Sequence, residues 1–205
     1  MRGAQTIQRT ARPGRPREFD TDRVLDDAVL LFSRKGYSAS SVADLSDALT
    51  LTTGSIYKAF KDKRGLFLAA LQRYVERSDE RAATALRDAP DGRARIRCLL
   101  SEYARVSHGE TGRIGCLVVA SAVEFGASDP DLGRHVAALI DTRERRLRRL
   151  VDEGRADGSI AGHVDSEAVA RTLLCLTQGM RVVGKTGRSG ADIAAVVDQA
   201  MRLLD

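Results

Sequence analysis

Tryptophan is absent from this 205-residue chain and aromatic residues make up only 4% of it. A core must therefore rest on leucine, valine, alanine and isoleucine. Four prolines occur, two of them (Pro13 and Pro16) in the first 16 residues. Sparse proline within periodic apolar sequence favours an all-α fold. The cysteines Cys98, Cys116 and Cys175 are odd in number and far apart, which argues against a disulfide framework. No apolar stretch approaches the roughly 20 residues needed to span a bilayer. The opening MRGAQTIQRT lacks the apolar run of a secretory signal, so the expectation is a soluble, cytoplasmic protein. Only His108, His135 and His163 supply imidazole. None pairs with cysteine at metal-ligand spacing, and no acid, base and nucleophile cluster appears. No metal, no cofactor and no enzyme activity are expected.

What the chain does have is an uneven charge. Its net charge of +5 sits in residues 1–17, where Arg2, Arg9, Arg12, Arg15 and Arg17 face no acid. Acids and bases balance in the rest. A basic arm suits phosphate or minor-groove contacts, and Arg15 and Arg17 lie nearest the folded part.

After the arm the apolar spacing turns helical. Val24, Leu25, Ala28, Leu31 and Phe32 share one face, with Thr21 as the expected N-cap and Gly36 as the stop. Ser41 and Asp44 resemble a capping box opening a helix buried through Val42, Leu45 and Leu49. Thr50 and Leu51 make a turn, and Thr52 caps a second short helix, Thr53 to Phe60. That helix offers Thr53, Ser55 and Lys58 at its start while Ile56 and Phe60 look inward. Small hydroxyls, backbone N–H groups and a lysine at the tip of a short helix suit a DNA major groove.

The run Thr53-Gly54-Ser55-Ile56-Tyr57-x-x-Phe60, with Phe32-Gly36-Tyr37, Ser41-Val42-x-x-Leu45 and Lys63 before Leu66-Phe67, resembles the DNA-binding domain of the TetR/AcrR family of transcriptional regulators. Gly115-Cys116-Leu117 and Asp129-Pro130 resemble, more loosely, one branch of its regulatory domains. The resemblance implies residues 18–64 as the helix-turn-helix domain and 65–205 as a helical regulatory and dimerisation domain. It also implies a homodimer on a pseudo-palindromic operator, a ligand-responsive repressor released by a small-molecule effector. Carried onto this chain, Thr53 and Ser55 face bases or adjacent phosphates, and Gly54 lets the backbone approach. Tyr57, Lys58 and Lys63 hold phosphates, and Ser41 and Thr52 contact the same duplex. Two departures stand out. Thr50 replaces a common glycine, and Gly65 stands where alanine or an acid is usual. Both imply a softer junction, and a Gly65→Ala variant that binds operator at least as tightly and responds less to inducer.

Beyond Asp62 longer helices follow: to Leu86, Arg93 to Ser107, Cys116 to Phe125, Asp129 to Asp157, Asp165 to Val183 and Gly190 to Leu204, with a polar loop at His108 to Gly112. The helix after Cys116 is apolar enough to be buried on most sides. Nine or ten helices result. Candidate cavity residues are Tyr103, His108, Cys116, Val119, Val123, Phe125 and Gln178, mostly apolar with a few orienting groups. Cys116 near a helix N-terminus, with Arg113 close by, also suits a thiol sensor of oxidants or electrophiles, although a small apolar filler has the same pattern. Stripes through Leu173, Leu176, Met180, Ile193, Val196, Val197 and Leu203 suit a four-helix bundle with a second subunit through the last two helices. The rival readings are a DNA-binding protein without an effector and a helical ligand binder with a vestigial head.

Overall fold

The computed structural model describes residues 19–205. Arg15, Arg17 and the rest of the expected arm lie outside the described residues. Among those described, ten α-helices and a terminal 3-10 turn (Met201–Leu204) make up the regular structure, with no strand. They are α1 (Thr21–Lys35), α2 (Val42–Leu49), α3 (Thr53–Phe60), α4 (Lys63–Leu86), α5 (Gly92–Arg105), α6 (Gly109–Ile114), α7 (Leu117–Phe125), α8 (Pro130–Asp157), α9 (Ser166–Gly184) and α10 (Gly190–Ala200).

Local chemistry sets the helix starts. The Asp20 carboxylate accepts from the Asp22 and Arg23 amides, so the cap falls one residue before Thr21. Ser41 and Asp44 close their capping box, the Ser41 amide donating to the Asp44 carboxylate at 2.7 Å. Thr50 ends α2 at φ 53° and ψ 40°, the left-handed region, which for a β-branched residue costs about 1 kcal/mol or more. The polar loop expected at His108 to Gly112 is instead the start of α6.

Gly65 overturns the soft-junction expectation. Lys61 turns the chain with φ 77° and ψ −53°, and the Asp62 amide donates back to the Phe60 carbonyl at 2.9 Å, a γ-turn of the strained, positive-φ kind. The Asp62 carboxylate then caps α4 by accepting from the Gly65 amide at 2.7 Å. A Cβ at residue 65 would overlap the Phe60 carbonyl oxygen and stand 3.2 Å from its carbon. Glycine is present because backbone occupies the space a side chain needs.

Two apolar clusters organise the molecule. One joins the head (Val24, Phe32, Leu45, Ile56, Leu66, Phe67) to Leu117, Val118, Phe125, Leu132 and Val136 of α7 and α8. The other holds the far end together through Ile96, Leu100, Leu147, Val151, Leu173, Ile193 and Val197. The long helix α8 runs through both. Burial corrects one expectation. Val123 on α7 is 83% exposed, so that short apolar helix is covered on one side only. Of the stripes on the last two helices, Leu173, Met180, Ile193 and Val197 are buried within this chain, Leu176 and Val196 are partly exposed, and Leu203 is 39% exposed.

Candidate DNA-binding interface

The head divides α3 into an inner and an outer face. Ile56 is fully buried, and Tyr57 packs against the head core while partly exposed. Thr52, Thr53, Gly54 and Lys58 are exposed. The Thr52 hydroxyl accepts from the Ser55 amide at 3.2 Å and lies 3.0 Å from the Ser55 hydroxyl. The Ser46 and Thr53 hydroxyls meet at 3.2 Å, linking α2 to the start of α3. A Cβ at Gly54 would meet nothing within 4 Å, so the outer face there is bare backbone at a positive helix end. The structure thus brings Thr52, Thr53, Gly54, Ser55 and Lys58 onto one short tip, with exposed Ser41 at the start of the neighbouring helix.

Lys63 departs from its expected place. Its ammonium lies 4.5 Å from the centroid of the Tyr37 ring, a cation–π contact. Exposed Lys61, three residues after Lys58, is a cation that sequence reasoning missed, although the i, i+3 spacing pointed to it.

Behind this tip the head is fastened to the body. Glu124, at the end of α7, accepts from the Tyr37 amide at 2.9 Å and the Ser38 amide at 2.5 Å. Arg64 pairs with Asp129 at the start of α8. Phe125, expected in a ligand cavity, instead meets Phe67 edge-on at 5.3 Å and Tyr37 at 5.4 Å. Burial alone would push the Glu124 carboxyl up, but Ser38 and the Tyr37 amide hold it below the ordinary range. Arg64 likewise draws Asp129 down. Because these folded values are depressed, the stabilisation is present above about pH 4.3 and is lost as acid protonates the carboxylates. Acidification through that range is expected to undock the head before the body melts. Glu124→Ala at neutral pH should do the same at a cost of about 1–2 kcal/mol. Hydrogen exchange at the Tyr37 and Ser38 amides reads both, and unchanged exchange in the variant would contradict the latch.

The remaining cavity candidates scatter. Tyr103 and Cys116 share a small void of about 20 Å³ with Tyr74, Arg143 and Arg181. Val119 and Val123 line an open groove beside Val182 and Lys185, where Cys116 also contributes. His108 lies in a separate groove against Gly190 on α10. Gln178 lines none of these grooves; its amide nitrogen donates to the Thr177 hydroxyl at 3.3 Å and its carbonyl oxygen has no partner. Sequence reasoning missed Arg143 and Arg181, yet a signal existed. Arg143 interrupts the apolar register Val136–Ile140–Leu147–Leu150, and Arg181 follows Leu173, Leu174 and Thr177 on the inner face of α9. The Cys116 thiol is pushed up by burial, but Arg143 and Arg181 outweigh this and lower it overall.

Comparison with known proteins agrees with this geometry. Residues 24–70 match the bacterial regulatory proteins of the tetR family, and residues 92–200 match the tetracyclin repressor-like C-terminal domain. The HTH-type transcriptional repressor ComR of Escherichia coli (strain K12) is 28% identical over 193 residues, covering 93% of this chain and 91% of ComR. A cysteine-substituted form of the TetR family regulator CifR, solved with a 26-base-pair operator duplex, superposes with a TM-score of 0.85. It is 30% identical, over 94% of this chain and 100% of that one. A TetR regulator from Chloroflexus aurantiacus gives a TM-score of 0.80 at 26% identity, over 88% and 91% of the two chains. No helix among the described residues is long and apolar enough to cross a membrane. The head built around α2 and α3, the helical body and these matches lead to one assignment: this chain belongs to the TetR family of DNA-binding transcriptional regulators and is not an enzyme.

Proposed function

We propose that this regulator is a cytoplasmic repressor that holds a pseudo-palindromic operator as a homodimer and lets go when a small effector enters the body. The observation that carries the reading is the tip of α3, where Thr52, Thr53, Gly54 and Lys58 are exposed among the described residues. The operator-bound CifR structure and the repressor name of ComR support it. Residues 18–64 act as the reading head, 65–205 as the regulatory and dimerising body, and the 1–17 arm adds phosphate contacts through Arg15 and Arg17. Within the head, Thr53 and Ser55 address bases, and Tyr57 and Lys58 hold backbone phosphates with Ser41 and Thr52 beside them. Lys63 joins them only by leaving Tyr37.

The partner subunit finds its place on a face that the chain itself leaves open. Ala168, Thr172, Cys175, Gly179 and Val182 recur at helical spacing along α9, all exposed, with Val182 half-exposed next to Val123 of α7. Small residues there let two such helices approach. The outer side of α9 then shares the dimer contact with the exposed Ala194 and Ala195 of α10 and with Leu203.

Selection of bound fragments from random duplex DNA tests the reading. The expected consensus is two-fold symmetric. Lys58→Ala, acting once in each subunit, should lower the slope of log affinity against log salt by about 1.8. An asymmetric consensus or an unchanged slope would reject the assignment.

A second reading, thiol sensing at Cys116, is favoured by its arginine neighbours and opposed by its burial. Loss of hypochlorite-triggered DNA release in Cys116→Ser is its expected result, and retained release rejects it.

A further inference from the structure

Two arginines lie where the fold provides no acid to meet them. Arg143 on α8 is 9% exposed and Arg181 on α9 is 3% exposed. The nearby carboxylates are taken: Asp79 by Arg146, and Glu102 by Arg81 and Arg105. One Arg181 nitrogen donates to the Gly115 carbonyl, but the Nη1 atoms of both Arg143 and Arg181 have no hydrogen-bond partner. Arginine does not shed its proton, and a buried charge without a counter-charge is costly. Cys116, between them, offers at most one negative charge against two positive ones.

Both side chains line a small void at the seam between the two apolar clusters, with Tyr74 and Tyr103 in its wall. At about 20 Å³ it holds a water molecule and little more. Tyr74, Arg81, Val106 and Arg181 form a partition, since they also line an open groove of about 490 Å³ between α1 and the body. That groove carries Arg77, Arg81, Arg105 and Arg181 against Asp26 and Asp27. Asp26 is engaged by Arg73 and Arg77, so the entrance is net positive. Val29, Leu30 and Ile114 give it an apolar wall.

We infer that Arg143 and Arg181 anchor the effector through a carboxylate, whose small apolar body lies in the groove against α1. This rests on the release reading and names the chemical class of its ligand. A carboxylate matches the planar guanidinium fork and needs less room than phosphate. The ligand enters past Tyr74 and presses on α1, which the head shares, so occupancy bears on the angle of α3.

Calorimetric titration of the DNA-free protein with acetate, butyrate, benzoate, benzamide and inorganic phosphate tests the site, and operator anisotropy with the same compounds tests release. Benzoate or butyrate should bind while benzamide does not. Arg143→Met and Arg181→Met should each weaken binding by about tenfold or more. Removing a buried charge that no carboxylate meets should leave the melting temperature of Arg143→Met equal or higher, whereas a merely structural arginine would lower it. Equal binding of benzamide or preference for phosphate would overturn the inference. A protein that holds operator but binds none of the carboxylates at millimolar concentration overturns it too, with the DNA-reading assignment intact. Carboxylate binding without operator release would remove the effector role.

Discussion

Gly54→Leu should abolish operator binding while leaving the protein as stable as before. A Cβ at this position meets nothing within 4 Å, so the substitution strains no neighbour. Leucine is moreover a better helix former than glycine. On DNA the same bare surface has to lie against the duplex, and an isobutyl group there holds α3 out of the groove. Losing the hydroxyl and amide contacts of Thr53 and Ser55 together costs about 3 kcal/mol or more, a hundredfold in affinity. Thermal unfolding paired with a binding titration makes the check. An equal or raised melting temperature with binding lost is the expected pair, and retained affinity would mean that another surface touches DNA.

Gly65→Ala should do the reverse, damaging the fold first and binding only as a consequence. In an ordinary exposed helix this exchange stabilises by about 1 kcal/mol. Here the new methyl would collide with the Phe60 carbonyl, which is fixed by the γ-turn at Lys61 and cannot withdraw without releasing the Asp62 amide. Overpacking of this kind costs about 1–3 kcal/mol, or about 2–12 °C in Tm for a chain of this size. Because α3 ends at Phe60, the displacement is transmitted directly to the recognition helix. The sign of the Tm change decides between a packed junction and a soft one, and a stabilised variant would restore the soft reading.

What could be read from the sequence was local. The Ser41–Asp44 capping box, the Thr52 cap and the burial of Ile56 follow from residues within one or two turns, and the structure has each of them. The conformation of Thr50 was open from the sequence, and the structure places it in the left-handed region. Contacts between distant residues were not. Glu124 meets Ser38 across 86 positions of chain, and nothing in a short apolar helix marks its last acid as a clasp for the head. Phe125 looked like cavity lining because apolar periodicity cannot separate a cavity wall from an aromatic cluster. Val123 was misplaced for a related reason: a helix apolar all round gives no direction, and its open side emerged only from the packing of its neighbours. Arg143 and Arg181 were present as charges at buried registers, a local anomaly whose meaning depends on which acids stand nearby.

Gly65 stood out from the family's usual residue, and its position was read as a weak helix start. The helix-propensity argument failed there because it takes no account of the chain preceding the helix. The same limit applies to α10, where Ile193 and Val197 are covered within the chain while Ala194 and Ala195 stay exposed. Propensity and periodicity locate the elements, but which surface each element covers is decided by three-dimensional packing.

The reading tip of α3 is the claim on which repression, dimer geometry and release all depend. Methylation of guanine N7, an atom exposed only in the major groove, probes it directly when methylated fragments are sorted by their ability to bind the protein. Two clusters of interference separated by one helical turn, about 34–36 Å, are predicted. Binding indifferent to N7 methylation, or a single cluster for the assembled protein, would contradict the claim.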